Sequence, residues 1–175
     1  MLRYRLKGLV GLEGPDGHVR VRSAGLLDNG RPAHTSSIDT LAGRGLDITA
    51  HRSTRLTLPI IRTADLILAM ARDHVRETVV LVPEAFPRVF TLKELVRRGE
   101  AVGPRAAGES LADWLGRAHD GRTAADLLGT SDTDDVADPI GLPRNAYERM
   151  VIELDDQLDR LVALLWAPLY ERSYR

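Results

Sequence analysis

The spacing of apolar residues predicts helices that alternate with short strands. Leu154, Leu158, Leu161 and Leu165 recur at helical spacing and indicate a long final helix from about residue 143 to residue 166. The uninterrupted apolar run of residues 66–70 is typical of a strand buried on both faces of a parallel sheet. Further helices are predicted over residues 2–10, 35–44, 54–63, 72–82, 92–98 and 109–119, and strands over residues 19–23 and 88–91.

Turn and cap residues set the ends of several elements. Thr35 or Ser36 is the expected cap of the helix over residues 35–44, and Gly45 follows its end. Pro59 and Pro143 have to lie in the first turns of their helices. Residues 14–17 predict a turn, and residues 120–142 form a polar loop with an acidic run at residues 132–138. The alternation of helices and apolar strands favours the α/β class with a mainly parallel sheet.

The bulk composition is that of one soluble globular domain. The chain has 175 residues, of which 43% are hydrophobic and 28% charged, and this is enough to bury a core. A net charge of −1 directs the protein neither to nucleic acid nor to an anionic membrane. No apolar run reaches the roughly 18–20 residues that span a bilayer, and the N-terminus lacks the apolar core of a signal peptide. We therefore expect a cytoplasmic protein.

The 175 residues contain no cysteine. Disulfides, thiolate metal sites and a thiol nucleophile are thus excluded within this sequence. No metal or other cofactor is expected.

The most informative polar feature is Asp138 with Pro139 after it, late in the chain. Proline restricts the preceding residue to extended backbone angles and stiffens the loop. A carboxylic acid held in this way can protonate a leaving group. The competing interpretation is that Asp138 and Pro139 only start a turn before the last helix.

Two other uses of the acidic run are weaker. Asp132 and Asp134 fit the Asp-x-Asp pattern of the haloacid-dehalogenase phosphotransferases, with Asp132 as nucleophile and Mg²⁺ as cofactor, but that motif should follow a buried strand near the domain start. A calcium-binding loop is excluded because Val136 and the missing distal glutamate break the ligand pattern.

Several sequence blocks occur in the order of a known family. They are Val21-Arg22-Ser23-Ala24-Gly25, Gly30-Arg31-Pro32, Gly45-Leu46-Asp47-Ile48 leading into His51-Arg52-Ser53, Ala64-Asp65-Leu66-Ile67-Leu68-Ala69-Met70, Phe90-Thr91-Leu92-Lys93-Glu94 and Asp135-Val136-Ala137-Asp138-Pro139. With this ordered set the chain resembles the low-molecular-weight protein tyrosine phosphatases and their arsenate-reductase relatives.

The resemblance implies a three-layer helix–sheet–helix fold with a small, mainly parallel sheet over residues 1–167, followed by a short tail of residues 168–175. Family members open with a central strand and a phosphate-binding loop, in which a cysteine, five residues and an arginine precede the first helix. By this resemblance the sequence is expected to begin inside that helix and to lack the family's central first strand and its cysteine loop. The family reaction is hydrolysis of a phosphate monoester through a cysteinyl phosphate, without a cofactor.

By the same resemblance Asp138 is the general acid that protonates the leaving group. Asp135 and Pro139 shape the loop that carries it. The implied substrate of a complete form is a phosphorylated protein or a small aryl phosphate, with arsenate as a further possibility in the family.

Two more residues match positions around the family's site: Ser23 and His51 match residues that support the phosphate loop through hydrogen bonds. Arg52 and Arg55 are further candidates, expected to flank the mouth of a site. The alternatives are a turn serine, a packed or surface histidine and ordinary solvated arginines.

Without the cysteine the chain as written is expected to be inactive. One explanation is that the natural protein begins before Met1 and is an active phosphatase. The other is that this is a pseudophosphatase that acts as a binding or regulatory module.

Overall fold

The computed structural model describes residues 19–166. The predicted helix of residues 2–10, the turn of residues 14–17 and the tail of residues 168–175 lie outside this range. From residue 35 onwards, helices and strands follow one another as the apolar spacing predicts. The elements are α1 (Thr35–Ala42), α2 (Leu58–Arg62), β1 (Ile67–Ala69), α3 (Arg72–Leu81), a first 3-10 helix (Pro83–Arg88), β2 (Val89–Thr91), α4 (Leu92–Val102), α5 (Leu111–His119), a second 3-10 helix (Ala124–Leu127) and α6 (Arg144–Leu165).

The two strands form a parallel pair. Ile67 pairs with Val89 and Ala69 with Thr91. Parallel neighbours need a crossover connection, and here α3 and the first 3-10 helix supply it. Among the described residues β1 pairs with β2 alone, and no strand precedes β1.

The strand residues divide the core into two layers. Successive strand side chains point to opposite faces, so Val89 and Ala69 pack with Ile61 and Val75 on one face, while Phe90 packs on the other. The layer on the face of Phe90 is built mainly from α4, α5 and α6. Its buried members are Phe90, Leu92, Leu95, Val96, Trp114, Leu115, Ala118, Leu158, Leu161, Leu164 and Leu165. The helix–sheet–helix arrangement and the α/β class are thus confirmed.

The strand predicted over residues 19–23 is wrong. Val19 and Val21 alternate with arginines as in a strand, but these residues pair with no other described segment. The first backbone pairing in the described chain is an isolated parallel bridge between Gly25 and Arg55. A strand needs a partner for its N–H and C=O groups, and an alternating pattern by itself does not provide one.

Two helices differ in their ends from the prediction. The helix expected over residues 54–63 begins only at Leu58, because Leu56 donates its N–H to the carbonyl oxygen of Gly25 at 2.7 Å. Helix α1 ends at Ala42, and its cap is His34 rather than Thr35 or Ser36. The His34 ring nitrogen Nδ1 accepts the N–H of Ser36 at 3.3 Å.

The remaining helices and both later strands lie where the apolar spacing predicts them, within a few residues at each end. Pro143, predicted in the first turn of the final helix, is instead the cap residue directly before α6, where its missing N–H is also tolerated. Trp114 is fully buried and donates its indole N–H to the carbonyl oxygen of Gly103 at 2.9 Å. Between residues 19 and 166, no helix has both the length and the apolar character that crossing a bilayer requires.

Candidate active site

The loop that carries Asp138 is attached to the carboxyl end of β1. We call residues 131–142 the acidic loop. The N–H of Val136 donates to the carbonyl oxygen of Met70 at 2.7 Å, one residue beyond the end of β1. Ligand sites in open α/β sheets lie at this end of the parallel strands. The tertiary structure therefore places the acidic loop at the end of the sheet where ligand sites of this fold class lie.

Asp135 joins the acidic loop to the start of α3. Its Oδ1 accepts the backbone N–H of Arg72 at 2.8 Å, and its Oδ2 accepts the N–H of Ser131 at 3.0 Å. Lys93 reaches the loop from α4 and donates to the carbonyl oxygens of Asp132 (3.1 Å) and Asp135 (3.0 Å). Both carboxylate oxygens of Asp135 are thus engaged in holding the loop.

Asp134 has a structural role that its place in the Asp-x-Asp pattern did not predict. It is 3% exposed, and its carboxylate binds Arg72 at 2.9 Å and Arg97 at 3.1 Å. Burial raises the pKa of Asp134, but the hydrogen bonds from the two arginines outweigh this and hold its pKa below the ordinary range. Neither the acidic run nor the Asp-x-Asp pattern indicated these partners, since both are distant along the chain.

Asp138 lies on the exposed part of the acidic loop, and Pro139 after it is buried. The Oδ1 atom of Asp138 accepts the N–H of Ile140 at 3.0 Å. This is an Asx turn, a conformation that aspartate adopts readily. The turn uses one carboxylate oxygen of an exposed side chain, so the geometry is compatible with both interpretations of Asp138.

A second group of predicted residues lies on two paired loops. Gly25 donates to the carbonyl oxygen of Thr54 at 2.9 Å, and Pro32 forms an antiparallel bridge with Arg52. Ser53, which the sequence reasoning did not assign a role, donates its hydroxyl to the carbonyl oxygen of Asp28 at 2.6 Å and accepts the N–H of Arg31 at 3.0 Å. These bonds fix residues 25–32 against residues 51–56.

Ser23 and His51 lie at the ends of these paired loops, and both are exposed. Neither side chain is hydrogen-bonded to another residue in the part of the chain that the structure describes. Arg52 donates to the carbonyl oxygens of Thr49 (2.9 Å) and His51 (2.8 Å), so part of its guanidinium is used within its own loop. Arg55 is exposed and uses its backbone N–H to bind the side-chain oxygen of Asn29.

Of the predicted site residues, the structure thus places Asp135, Asp138 and Pro139 on the acidic loop, together with Asp134. The others lie on the paired loops or at their ends: Ser23, His51, Arg52 and Arg55. Within residues 19–166, no hydrogen bond or ion pair joins the two groups.

The haloacid-dehalogenase alternative does not fit this geometry. Residues 128–131 form a loop, so no buried strand leads into Asp132. The carboxylates of Asp134 and Asp135 are taken by arginines and backbone N–H groups. No group of three possible acidic, histidine or cysteine ligands surrounds a metal position among the described residues.

Comparison with known proteins places this α/β domain in a family. The family model for the low molecular weight phosphotyrosine protein phosphatases matches residues 6–103, more than half of the chain. The chain belongs to this family.

Individual relatives agree with that assignment. The chain is 38% identical over 78 residues to the probable low molecular weight protein-tyrosine-phosphatase EpsP of Ralstonia solanacearum, covering 44% of this chain and 54% of the relative. It is 30% identical over 149 residues to the protein-arginine-phosphatase of Geobacillus stearothermophilus, covering 84% of this chain and 77% of the relative. The crystal structure of the low molecular weight protein tyrosine phosphatase from T. tengcongensis matches with a TM-score of 0.59 and 29% identity, over 82% of this chain and 76% of that one. The chain therefore spans little more than half the length of the Ralstonia relative.

Proposed function

We propose that this chain carries the acid half of a phosphate monoester hydrolase site, with Asp138 as the general acid. The supporting observation is the 2.7 Å hydrogen bond from Val136 to Met70, two residues before Asp138. It holds the acidic loop at the carboxyl end of β1, the position of ligand sites in this class of fold. Asp138 is exposed there, so its carboxyl group is accessible to a leaving-group oxygen.

In the proposed reaction Asp138 donates a proton to the leaving oxygen as the bond between phosphorus and that oxygen breaks. Its carboxylate then accepts a proton from the water that hydrolyses the phosphoenzyme. The phosphoryl acceptor in the family is a cysteine thiolate, and these 175 residues contain none. The 175-residue chain by itself is therefore proposed not to turn over phosphate monoesters.

The proposed substrate class is a phosphorylated protein side chain. The names of the relatives support this, since they include protein-tyrosine-phosphatases and a protein-arginine-phosphatase. Asp138 suits either type, because an oxygen or a nitrogen leaving group needs a proton as its bond to phosphorus breaks.

A chimera tests the proposal. The first strand and cysteine loop of the T. tengcongensis phosphatase are joined in frame ahead of this chain, and hydrolysis of p-nitrophenyl phosphate is measured. We expect turnover by the chimera and none by the 175-residue chain. Replacing the loop cysteine of the chimera by serine is the matched control and should abolish turnover.

Circular dichroism and urea unfolding establish that the chimera is folded. A folded chimera that binds vanadate but does not hydrolyse the substrate would overturn the acid role of this loop.

A further inference from the structure

The acidic loop is held at one end by a buried carboxylate with two cationic partners. Oδ2 of Asp134 accepts from Arg72 at 2.9 Å, and Oδ1 accepts from Arg97 at 3.1 Å. Arg97 also reaches Oδ2 at 3.2 Å and, through Nε, Oδ1 at 3.3 Å. Arg72 opens α3 and Arg97 lies in α4, so one side chain joins the loop to two helices.

The burial of Asp134 makes these partners necessary. A carboxylate removed from water is strongly unfavourable unless charged or hydrogen-bonding groups compensate it. The side chain of Asp134 is 4% exposed, whereas those of Arg72 and Arg97 are 25% and 52% exposed. The two arginine side chains thus stay in contact with solvent, while the carboxylate of Asp134 is buried.

The contacts divide the acidic loop into two parts. Residues 131–136 are bound to β1, α3 and α4 through Val136, Asp135 and Asp134. Beyond them, the described hydrogen bonds of residues 137–142 are local: Ile140 to Asp138, and Leu142 to Pro139. Besides the burial of Pro139, the contacts that fix the position of Asp138 relative to the sheet are thus those of residues 131–136.

We propose that Asp134 is a positioning residue of the acidic loop: its ion pairs with Arg72 and Arg97 hold Val136 on Met70 and so fix where Asp138 lies. The catalytic consequence rests on the proposed function, but the ordering of the loop does not. Loss of the Asp134 charge should release the loop while the helices stay folded.

The test is hydrogen exchange of the full chain, followed by NMR, in wild type and in Asp134→Asn. We expect protection of the Val136 amide to fall at least about 10-fold, because the charged hydrogen bonds of Arg72 and Arg97 to residue 134 are both weakened. Protection of Val75 in α3 and Leu95 in α4 should stay within about 2-fold. Asp132→Asn removes the same charge from an exposed neighbour and should leave Val136 unchanged. Unchanged protection of Val136 in Asp134→Asn, or an equal fall at all three amides, would overturn the proposal.

If Asp134→Asn does not fold, Arg97→Gln decides the question, because Asp134 then keeps its bond to Arg72. A smaller but selective fall at Val136 is expected, and no change would refute the proposal.

In the chimera, Asp134→Asn should lower kcat with little change in KM. It should have no further effect once Asp138 is replaced by Asn, because both changes then act through the same carboxyl group. An additional loss in the Asp138→Asn background would show a general structural effect instead. An inactive chimera would count against the proposed function alone, since the exchange measurement stands without turnover.

Discussion

Glu94 and Arg122 form a buried ion pair between α4 and the segment that follows α5. Two hydrogen bonds join them: Arg122 Nε donates to Glu94 Oε1 at 2.8 Å, and Arg122 Nη2 donates to Glu94 Oε2 at 3.1 Å. Arg122 also lies over the ring of Phe90, with its guanidinium carbon 4.0 Å from the ring centre, and donates to the carbonyl oxygen of Val89 at 2.9 Å. One arginine thus joins α4, β2 and the chain after α5.

Neutralising this pair is expected to be costly. Glu94→Gln leaves a buried guanidinium without its counter-charge, and we expect a loss of about 3–5 kcal/mol in the free energy of unfolding. Urea denaturation measures it. The matched control is Glu100→Gln, which breaks the partly exposed pair with Arg160 at 2.7 Å and should cost less than about 1 kcal/mol. Equal losses in the two variants would contradict the buried role.

Gly99 in α4 is expected to tolerate no side chain. A Cβ at this position would lie 2.9 Å from Leu164 Cδ1 and 2.9 Å from Trp114 Cζ2, inside the core. Gly99→Ala should therefore destabilise by about 1–3 kcal/mol through overpacking, in spite of the better helix propensity of alanine. Gly116→Ala in α5 meets nothing within 4 Å and should stabilise by about 0.5–1 kcal/mol. The urea midpoint should fall in Gly99→Ala and rise in Gly116→Ala relative to wild type. A rise in both variants would show that Trp114 and Leu164 move aside.

Stability should depend on pH through His119. Burial, and after it the charge of Arg122, lowers the pKa of His119, with Arg98 acting in the same direction and Glu94 and Asp120 against it. The unfolded chain, with a histidine pKa of about 6.5, then takes up the proton first. The contribution of His119 to the free energy of unfolding is therefore fully present above about pH 6.5. It is lost as the pH falls through the lower pKa of the folded state.

This dependence is measured as urea midpoints at pH 7.5 and pH 5.5. The wild type should lose stability at the lower pH, and His119→Asn should lose less. His74→Asn, at an exposed position in α3, is the control and should keep the wild-type dependence. If His119→Asn leaves the difference between the two urea midpoints unchanged, His119 is not the source of the pH dependence.

Asp138 should dominate the turnover of the chimera. A general acid contributes about 10²–10⁴ in rate, so Asp138→Asn should lower kcat for p-nitrophenyl phosphate by that factor. Asp132→Asn, an equal charge change on the same loop, should leave kcat within about 3-fold of the parent, because its side chain is exposed. Similar values for Asp138→Asn and the parent would remove Asp138 from the acid role.

The sequence predicted most of the helices because each buries one stripe of apolar residues. Leu158, Leu161 and Leu165 in α6, and Trp114 and Leu115 in α5, are buried as their spacing indicates. The segment of residues 19–23 shows the limit of this reasoning. Its alternating pattern predicted a strand. A strand also needs a second segment to pair with, and the pattern does not show whether one is present.

For the candidate site, the order of the motifs predicted the family, and the family match confirms it. The motifs did not reveal the contacts of Asp134 or Ser53, whose partners come from other parts of the chain. Asp138 stays a prediction, and the chimera tests it.

The sequence alone determined the class of fold, the family and the position of the acidic loop along the chain, because apolar periodicity and motif order are local properties. The tertiary structure alone decided which charges meet. With 24 basic and 25 acidic side chains, the sequence allows many ion pairs and marks none of them. Glu94 is 28 residues from Arg122, and Asp134 is 62 residues from Arg72 and 37 from Arg97. Contacts at such separations follow from how the helices pack on the sheet, and that packing selects the carboxylates that are buried with arginines and those, like Asp138, that stay exposed.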